Sequence, residues 1–297
     1  MARLMDTLLI ALSSLATACS LFPTRQTACS QDRPCPSGQY CRPDTATCEA
    51  SPVVEDMAMP TDMATSPDMA TPPGMLFVPG GTFNMGSPLS DTDSSADERP
   101  EHDVTVAPFF FDITEVTQGG YRQCVNSGSC TNPDDFNVTA ACNWGKSARE
   151  DHPVNCIDWN QASTYCNWKG ARLPTEEEWE YVARGTKKSK YPYGDDTLLD
   201  QGCIGKVETC IVNSYPKTLF GKVDSAGLAD LLANVEEWTS SAYCSDYNNQ
   251  SCNGRYVTRG SNYKDANPVI ARSAKRGQSQ PVGGRASTHG VRCAKSI

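Results

Sequence analysis

Residues 171–185 read ARLPTEEEWEYVARG, and residues 233–239 read ANVEEWT. In the first stretch Thr175 stands at an N-cap position with Glu178 three residues on, the spacing of a capping box, directly after Pro174. Trp179 and Val182 then fall on one helical face, and Gly185 supplies the stop. Upstream, Asp158 and Gln161 repeat the arrangement. They predict a helix to about Trp168 with Gly170 at its C-terminus and a buried face of Ala162, Tyr165, Cys166 and Trp168/Lys169. Residues 75–87, MLFVPGGTFNMGS, predict a hairpin turning at Gly80-Gly81, and residues 104–117, VTVAPFFFDITEVT, a strand pair interrupted by Pro108. Beyond Gly185 long periodic segments stop, and Gly, Asn, Asp and Pro dominate. Loops held by side-chain contacts, disulfides or ions must carry that half. The expectation is an irregular, loop-rich α+β domain.

Outward from this block the chain changes character. The 297 residues have mean hydropathy −0.47 and 38% hydrophobic content, which excludes a multi-span membrane protein. Lys+Arg 26 against Asp+Glu 35 gives a net charge of −9 and argues against nucleic acid as a partner. Fifteen cysteines point to an oxidising compartment, and the odd count leaves at least one outside any intrachain pair. Residues 1–18 read as a signal peptide of the lipoprotein type. Arg3 precedes an apolar run too short to span a bilayer, and small residues lead into Cys19, the candidate lipidated residue. An ordinary secretory signal cut near Ala18 is the alternative; either route exports the chain. Residues 27–49 form a small Cys-rich knob (Cys29, Cys35, Cys41, Cys48) with too little apolar content for a core, so two disulfides of open connectivity must hold it. Residues 50–73 are a Pro/Met/Asp/Ala low-complexity linker in which Asp-Met-Ala recurs at Asp56, Asp62 and Asp68. This organisation suits a domain, 74–297, lifted off a bacterial envelope membrane by a lipid-anchored tether.

Charge inside 74–297 is segregated. Residues 74–254 hold 13 basic and 26 acidic side chains, and residues 255–297 hold 9 and 1. One reading is internal, the arginines tying loops to the acidic body through bidentate pairs. The other places Arg255, Arg259, Arg272, Lys275 and Arg276 around a groove for an anionic ligand or an extended peptide.

The blocks GMLFVPGGTFNMGS, ERPEHDVTVAPFFFDITEVT, HPVNCIDWNQASTYCNWKGARLPTEEEWEYVARG, YPYGDD, GLADLLANVEEWTSSAYC, VTRGS and HGVRCAK resemble, in order, the formylglycine-generating enzyme or sulfatase-modifying factor family. The resemblance covers 74–297 and implies a fold similar to C-type lectin domains. In the oxidase members two cysteines bind Cu(I) and convert a sulfatase cysteine to formylglycine. The positions here that match them are about Tyr263 and Pro268, and no cysteine lies between Cys252 and Cys293, so no copper is expected. Soft sulfur ligands are what select Cu(I). The related iron-dependent branch needs three histidines, whereas His102, His152 and His289 are scattered. The expectation is therefore a non-oxidase binding or scaffold domain of the cell envelope, its partner an envelope protein, peptide or glycan. The alternative is an enzyme, of the formylglycine-generating type or working another reaction in the same groove.

The resemblance also implies a structural Ca²⁺ ion held by Asp230 and Glu237 side chains with the carbonyls of Ala233 and Val235. Hard oxygen donors on a loop are what Ca²⁺ takes. The family's long-range disulfide maps to Cys166–Cys293, and a second family bridge falls on Ala183 and Ser273. The remaining cysteines suggest local clips: Cys203–Cys210, Cys244–Cys252, and pairing among Cys124, Cys130, Cys142 and Cys156.

Overall fold

The strands appear where the sequence alternates or turns apolar, and their pairing follows from which faces must be covered. The computed structural model describes residues 70–133, 141–185, 188–195, 202–215, 227–248, 252, 254–277 and 280–297, and the backbone of 39–42 and 47–50. Cys19, Cys29, Cys35 and the Asp-Met-Ala linker lie outside the described residues. The chain divides into two units, Met1–Glu55 and Asp56–Ile297. In the first, β1 (Gln39–Arg42) and β2 (Thr47–Ala50) pair antiparallel, with Cys41 opposite Cys48 in register.

In the second unit β3 (Met75–Val78) and β6 (Phe109–Asp112) pair antiparallel, and β11 (Ala294–Ser296) pairs with the other edge of β6. Because strand side chains alternate, Phe110 enters one core while Phe109 and Phe111 enter a second, so β6 is buried on both faces. β4 (Gly81–Met85) and β5 (His102–Val106) form a separate two-stranded ribbon. The hairpin expected across Gly80-Gly81 therefore does not form, and β5 and β6 belong to different sheets. The glycines serve a crossover instead. Gly80 has φ +72°, and a Cβ there would lie 2.6 Å from the Val106 carbonyl oxygen and 2.7 Å from the Pro108 nitrogen. Only glycine lets the two sheet corners approach so closely.

Among the described residues three α-helices pack on this frame. α1 (Gln118–Asn126) is capped by Thr117, whose side chain accepts from the Gly120 amide. α2 (Trp159–Trp168) and α3 (Glu176–Arg184) carry full capping boxes at Asp158/Gln161 and Thr175/Glu178. Each such N-cap contributes about 1 kcal/mol. Trp168, 39% exposed, does not join the buried face of α2, which is made by Gln161, Ala162, Tyr165 and Cys166. One turn beyond Tyr165 the chain has already reached the helix end, so Trp168 and Lys169 emerge. α3 is buried along most of its length, Trp179, Tyr181 and Val182 filling the second core with Phe83, Phe109 and Phe111.

Among the described residues after α3 the next strand is β7 (Glu236–Ala242), which pairs with β8 (Arg255–Arg259) antiparallel and with β10 (His289–Gly290) parallel; β9 (Gln280–Pro281) closes the other edge. Among the described residues five disulfides hold the loops: Cys124–Cys130, Cys142–Cys156, Cys166–Cys293, Cys203–Cys210 and Cys244–Cys252. Ala183 and Ser273, at the positions of the family's second bridge, do face each other: Ser273 Oγ donates to the Ala183 carbonyl at 3.3 Å.

Candidate functional site

β8 delivers Arg259 at its end, and the segment Arg259–Arg272 returns toward α3. Tyr263, the first of the two positions where oxidases carry cysteine, is fully buried. Its amide donates to the Asn234 carbonyl at 3.0 Å, and its hydroxyl lies 3.4 Å from Ser287 Oγ. Pro268, the second position, opens a 3-10 turn (Pro268–Ala271) whose N-cap Asn267 accepts from the Val269 amide. Neither Tyr263 nor Pro268 is a residue type that can supply a thiolate.

The five cations expected around a groove divide into two groups. Arg259, 0% exposed, donates to Glu180 Oε2 at 2.6 Å, Glu176 Oε1 at 3.2 Å and the carbonyls of Ser273 and Ala274. Arg272 binds both oxygens of Glu98 at 2.7 and 2.9 Å. Arg276 binds both oxygens of Glu176 at 2.7 and 3.1 Å, between the rings of Tyr243 and Tyr247. Arg259 and Arg272 are core clamps, and Arg276 is a clamp whose other side reaches the cavity described next. A guanidinium removed from water must find carboxylates, and Glu176 and Glu180 of α3 together with Glu98 supply them. Electrostatics agree. Burial alone would raise the Glu98 carboxyl, but the hydrogen bonds and charge of Arg272, helped by Ser87, hold it below its ordinary range. Glu176 is pushed up by burial despite Arg259 and Arg276.

Arg255 and Lys275 are half-buried, Lys275 Nζ lying 3.9 Å from Glu98 Oε1. With Arg276 they line an open cavity of about 590 Å³ that also takes Ser95, Asp97, Tyr243, Ser245 and Gly277. Its rim is fixed by the Cys244–Cys252 clip across the loop from β7 to β8. Lys275 Nζ rests 3.4 Å from Ser95 Oγ, and Tyr243 donates to Asp97 Oδ2 at 3.1 Å. A Cβ at Gly277 would lie 2.1 Å from Thr258 Oγ1, so the floor cannot carry a side chain. The lining suits a polar ligand bearing negative charge.

A family model, the sulfatase-modifying factor enzyme 1-like domain, matches residues 60–297. The chain belongs to the sulfatase-modifying factor family. The inactive C-alpha-formylglycine-generating enzyme 2 of Mus musculus is 34% identical over 191 residues, 49% of this chain and 62% of its own length. The serine/threonine-protein kinase Pkn1 of Chlamydia trachomatis serovar L2 is 31% identical over 228 residues, 69% of this chain but only 36% of the kinase. The chain thus spans about a third to under two thirds of the length of these relatives. Among solved structures, PvdO from Pseudomonas aeruginosa superposes with a TM-score of 0.62 at 26% identity, covering 75% of this chain and 94% of PvdO.

The Ca²⁺ donor set implied by the sulfatase-modifying factor family does not fit as a set. Glu237 Oε1 accepts from Arg292 Nε and Nη2 at 3.0 and 2.9 Å, and Oε2 accepts from Arg292 Nε at 3.1 Å and Trp179 Nε1 at 2.7 Å. Three N–H donors hold that carboxylate, the Arg292 Nε–H shared between its two oxygens. Asp230 differs: Oδ2 accepts from the Asn213 amide, while Oδ1 is buried with no partner. Glu115, between Thr114 and Val116 in the DITEVT block, shows the same imbalance. Its Oε1 accepts from Asn234 Nδ2 at 2.9 Å and its Oε2 has no partner. The sequence reading passed over Glu115. An acid set between Ile113 and Val116 where the chain leaves a buried strand was the available signal.

His289 is 4% exposed, and burial pulls its imidazole down to about 4, so it is neutral at ordinary pH. It lies 3.7 Å from Glu236 Oε2, whose carboxyl burial pushes up. His152 bonds Thr209 Oγ1 at 2.9 Å. His289 packs edge-on against Trp238 at 5.3 Å between ring centroids, and His102 is tilted against Tyr247 at 4.8 Å.

Proposed function

We propose that this protein is a non-oxidase binding domain of the sulfatase-modifying factor family, exported and lipid-anchored in a bacterial cell envelope through Cys19. The supporting observation is that all ten cysteines of 74–297 are in disulfides. No thiolate is left there for Cu(I), and thiolate is the ligand such a site needs. The likeness to a mammalian relative named as inactive is in keeping with this reading. Binding falls to the cavity at Arg255, Lys275 and Asp97, whose partner is an envelope peptide, protein or glycan presenting an anionic group. Disulfide-tied loops on a rigid base suit recognition, because little ordering entropy is lost on binding.

The test is incubation with a peptide carrying a sulfatase-type cysteine motif, with Cu(I) and oxygen, beside an active formylglycine-generating enzyme. Mass spectrometry should find the peptide cysteine unchanged with this protein and converted to the aldehyde by the control. Aldehyde formed by this protein would reject the reading in favour of the enzyme.

A further inference from the structure

The cavity at Asp97, Tyr243 and Lys275 is polar almost throughout. Among the described residues that line it, only Ala96 has a wholly aliphatic side chain, so recognition falls to hydrogen bonds and charge. Its cations are not equivalent. Arg276 is committed internally: beside its bonds to Glu176, its Nη1 donates to the Asp97 carbonyl at 2.9 Å and the Cys244 carbonyl at 2.8 Å. Those bonds fasten the turn at Ala96–Glu98 to the loop after β7, so the walls are preformed and little order is lost when a ligand enters. Lys275 is held more loosely. Its ammonium lies 3.4 Å from Ser95 Oγ and 3.9 Å from Glu98 Oε1, and Glu98 already gives both oxygens to Arg272. Glu236, the other carboxyl on which Lys275 acts, gives its oxygens to Thr258 and Asn262 behind the Gly277 floor. An ammonium with three donors and only these long contacts has capacity for a further anionic acceptor. Asp97 brings the opposite need. Its Oδ2 accepts the Tyr243 hydroxyl at 3.1 Å, and a carboxylate has room for more donors than one phenol. The Arg276 guanidinium, 4.7 Å from the Tyr243 ring and bonded to the Asp97 carbonyl, already sets a positive charge beside it. The donors that suit Asp97 are therefore neutral hydroxyls.

We propose that this cavity binds a carboxylated sugar, with the carboxylate on Lys275 and the ring hydroxyls on Asp97 and Ser95. The proposal rests on the reading of the cavity as the binding site and narrows its partner from any anionic envelope group to an acidic glycan unit. Such a sugar carries an anionic group and several hydroxyl donors in one compact polar body. An inorganic anion or the acidic side chain of a peptide brings the charge without the hydroxyls, and Asp97 then repels it. An acidic peptide is the competing occupant.

Ligand-observed NMR titration of the full chain with D-glucuronate, D-glucose and a triglutamate peptide acetylated and amidated at its ends separates these occupants. Saturable binding of glucuronate is expected, with glucose and the peptide both weaker. Lys275→Gln should weaken glucuronate at least ~10-fold, the scale of one lost hydrogen bond to a charged group. Lys275→Arg, which keeps the charge, covers the case in which the glutamine variant does not fold, and should retain binding. Asp97→Ala should weaken both sugars. Triglutamate bound more tightly than glucuronate, and lost in Lys275→Gln, would overturn the sugar while leaving the cavity as a binding site. Glucose bound as tightly as glucuronate, no binding of glucuronate, or glucuronate binding unchanged in a folded Lys275→Gln protein would also overturn the proposal. Failure of the parent reading shows elsewhere, as aldehyde in the sulfatase-peptide assay, so the two failures are told apart.

Discussion

Replacing Cys166 and Cys293 together by alanine should lower the stability of the large domain by about 4–5 kcal/mol. The bridge joins α2 to the chain just before β11 across a sequence separation of 127, and both residues are fully buried in one core with Tyr121, Ile157 and Trp238. In the chain-entropy account a cross-link that closes so long a loop removes more freedom from the unfolded chain than a short one does. The clips Cys124–Cys130 and Cys203–Cys210, separated by 6 and 7 residues, should matter less. Alanine avoids leaving a buried hydroxyl, so the loss reports the cross-link. Thermal melts should show a drop of roughly 10–20 °C for a domain of this size. A drop no greater than that of the Cys124/Cys130 double variant would mean the long bridge adds little to native stability.

Arg259→Met is expected to cost about 3–5 kcal/mol, the range for removing one partner of a buried ion pair. Methionine roughly fills the volume, so the loss isolates charge and hydrogen bonding. Glu176 and Glu180 would retain Arg276 and Arg184, but the direct bonds from Arg259 and the caps on the Ser273 and Ala274 carbonyls would go. Its cation–π contact with Trp179, 5.3 Å from guanidinium to ring, would go too. Urea titration followed by tryptophan fluorescence measures the change. Arg255→Met, at the rim of the cavity, serves as comparison and should stay within about 0.5 kcal/mol of wild type. Equal effects at the two positions would return Arg259 to the groove.

The contrast between those two arginines shows what the sequence could disclose. α2 and α3 were legible because a capping box is a local device, and the residues that start each helix sit three positions apart. α1 was not legible. Gly119 and Gly120 in its first turn lower its helix propensity, and its inward face is only Gln118, Tyr121 and Cys124. Strand existence was readable around residues 75–87 and 102–112, but pairing was not. Two strands that meet at Gly80-Gly81 look like a hairpin whether they bond to each other or cross between sheets. The segregation of charge pointed correctly to bidentate Arg–carboxylate ties between the C-terminal stretch and the acidic body, as at Arg272–Glu98 and Arg276–Glu176. It could not say which arginines would be used up in this way, because burial depends on long-range packing. The same limit hid Glu115, whose neighbour Asp230 is 115 residues away in the chain. The bridge Cys166–Cys293 was legible through the family pattern, and the short clips through simple proximity in sequence.

On the proposed reading every cysteine of the large domain is structural and none is left for copper chemistry. That reading is tested most directly by denaturing the full chain without reductant, alkylating it, and mapping its peptides by mass spectrometry. Unmodified, disulfide-linked peptides are expected for all ten cysteines, in the five pairings described. Alkylation at any of them in the freshly purified protein, above all at two of them together, would contradict the account and reopen a thiolate site.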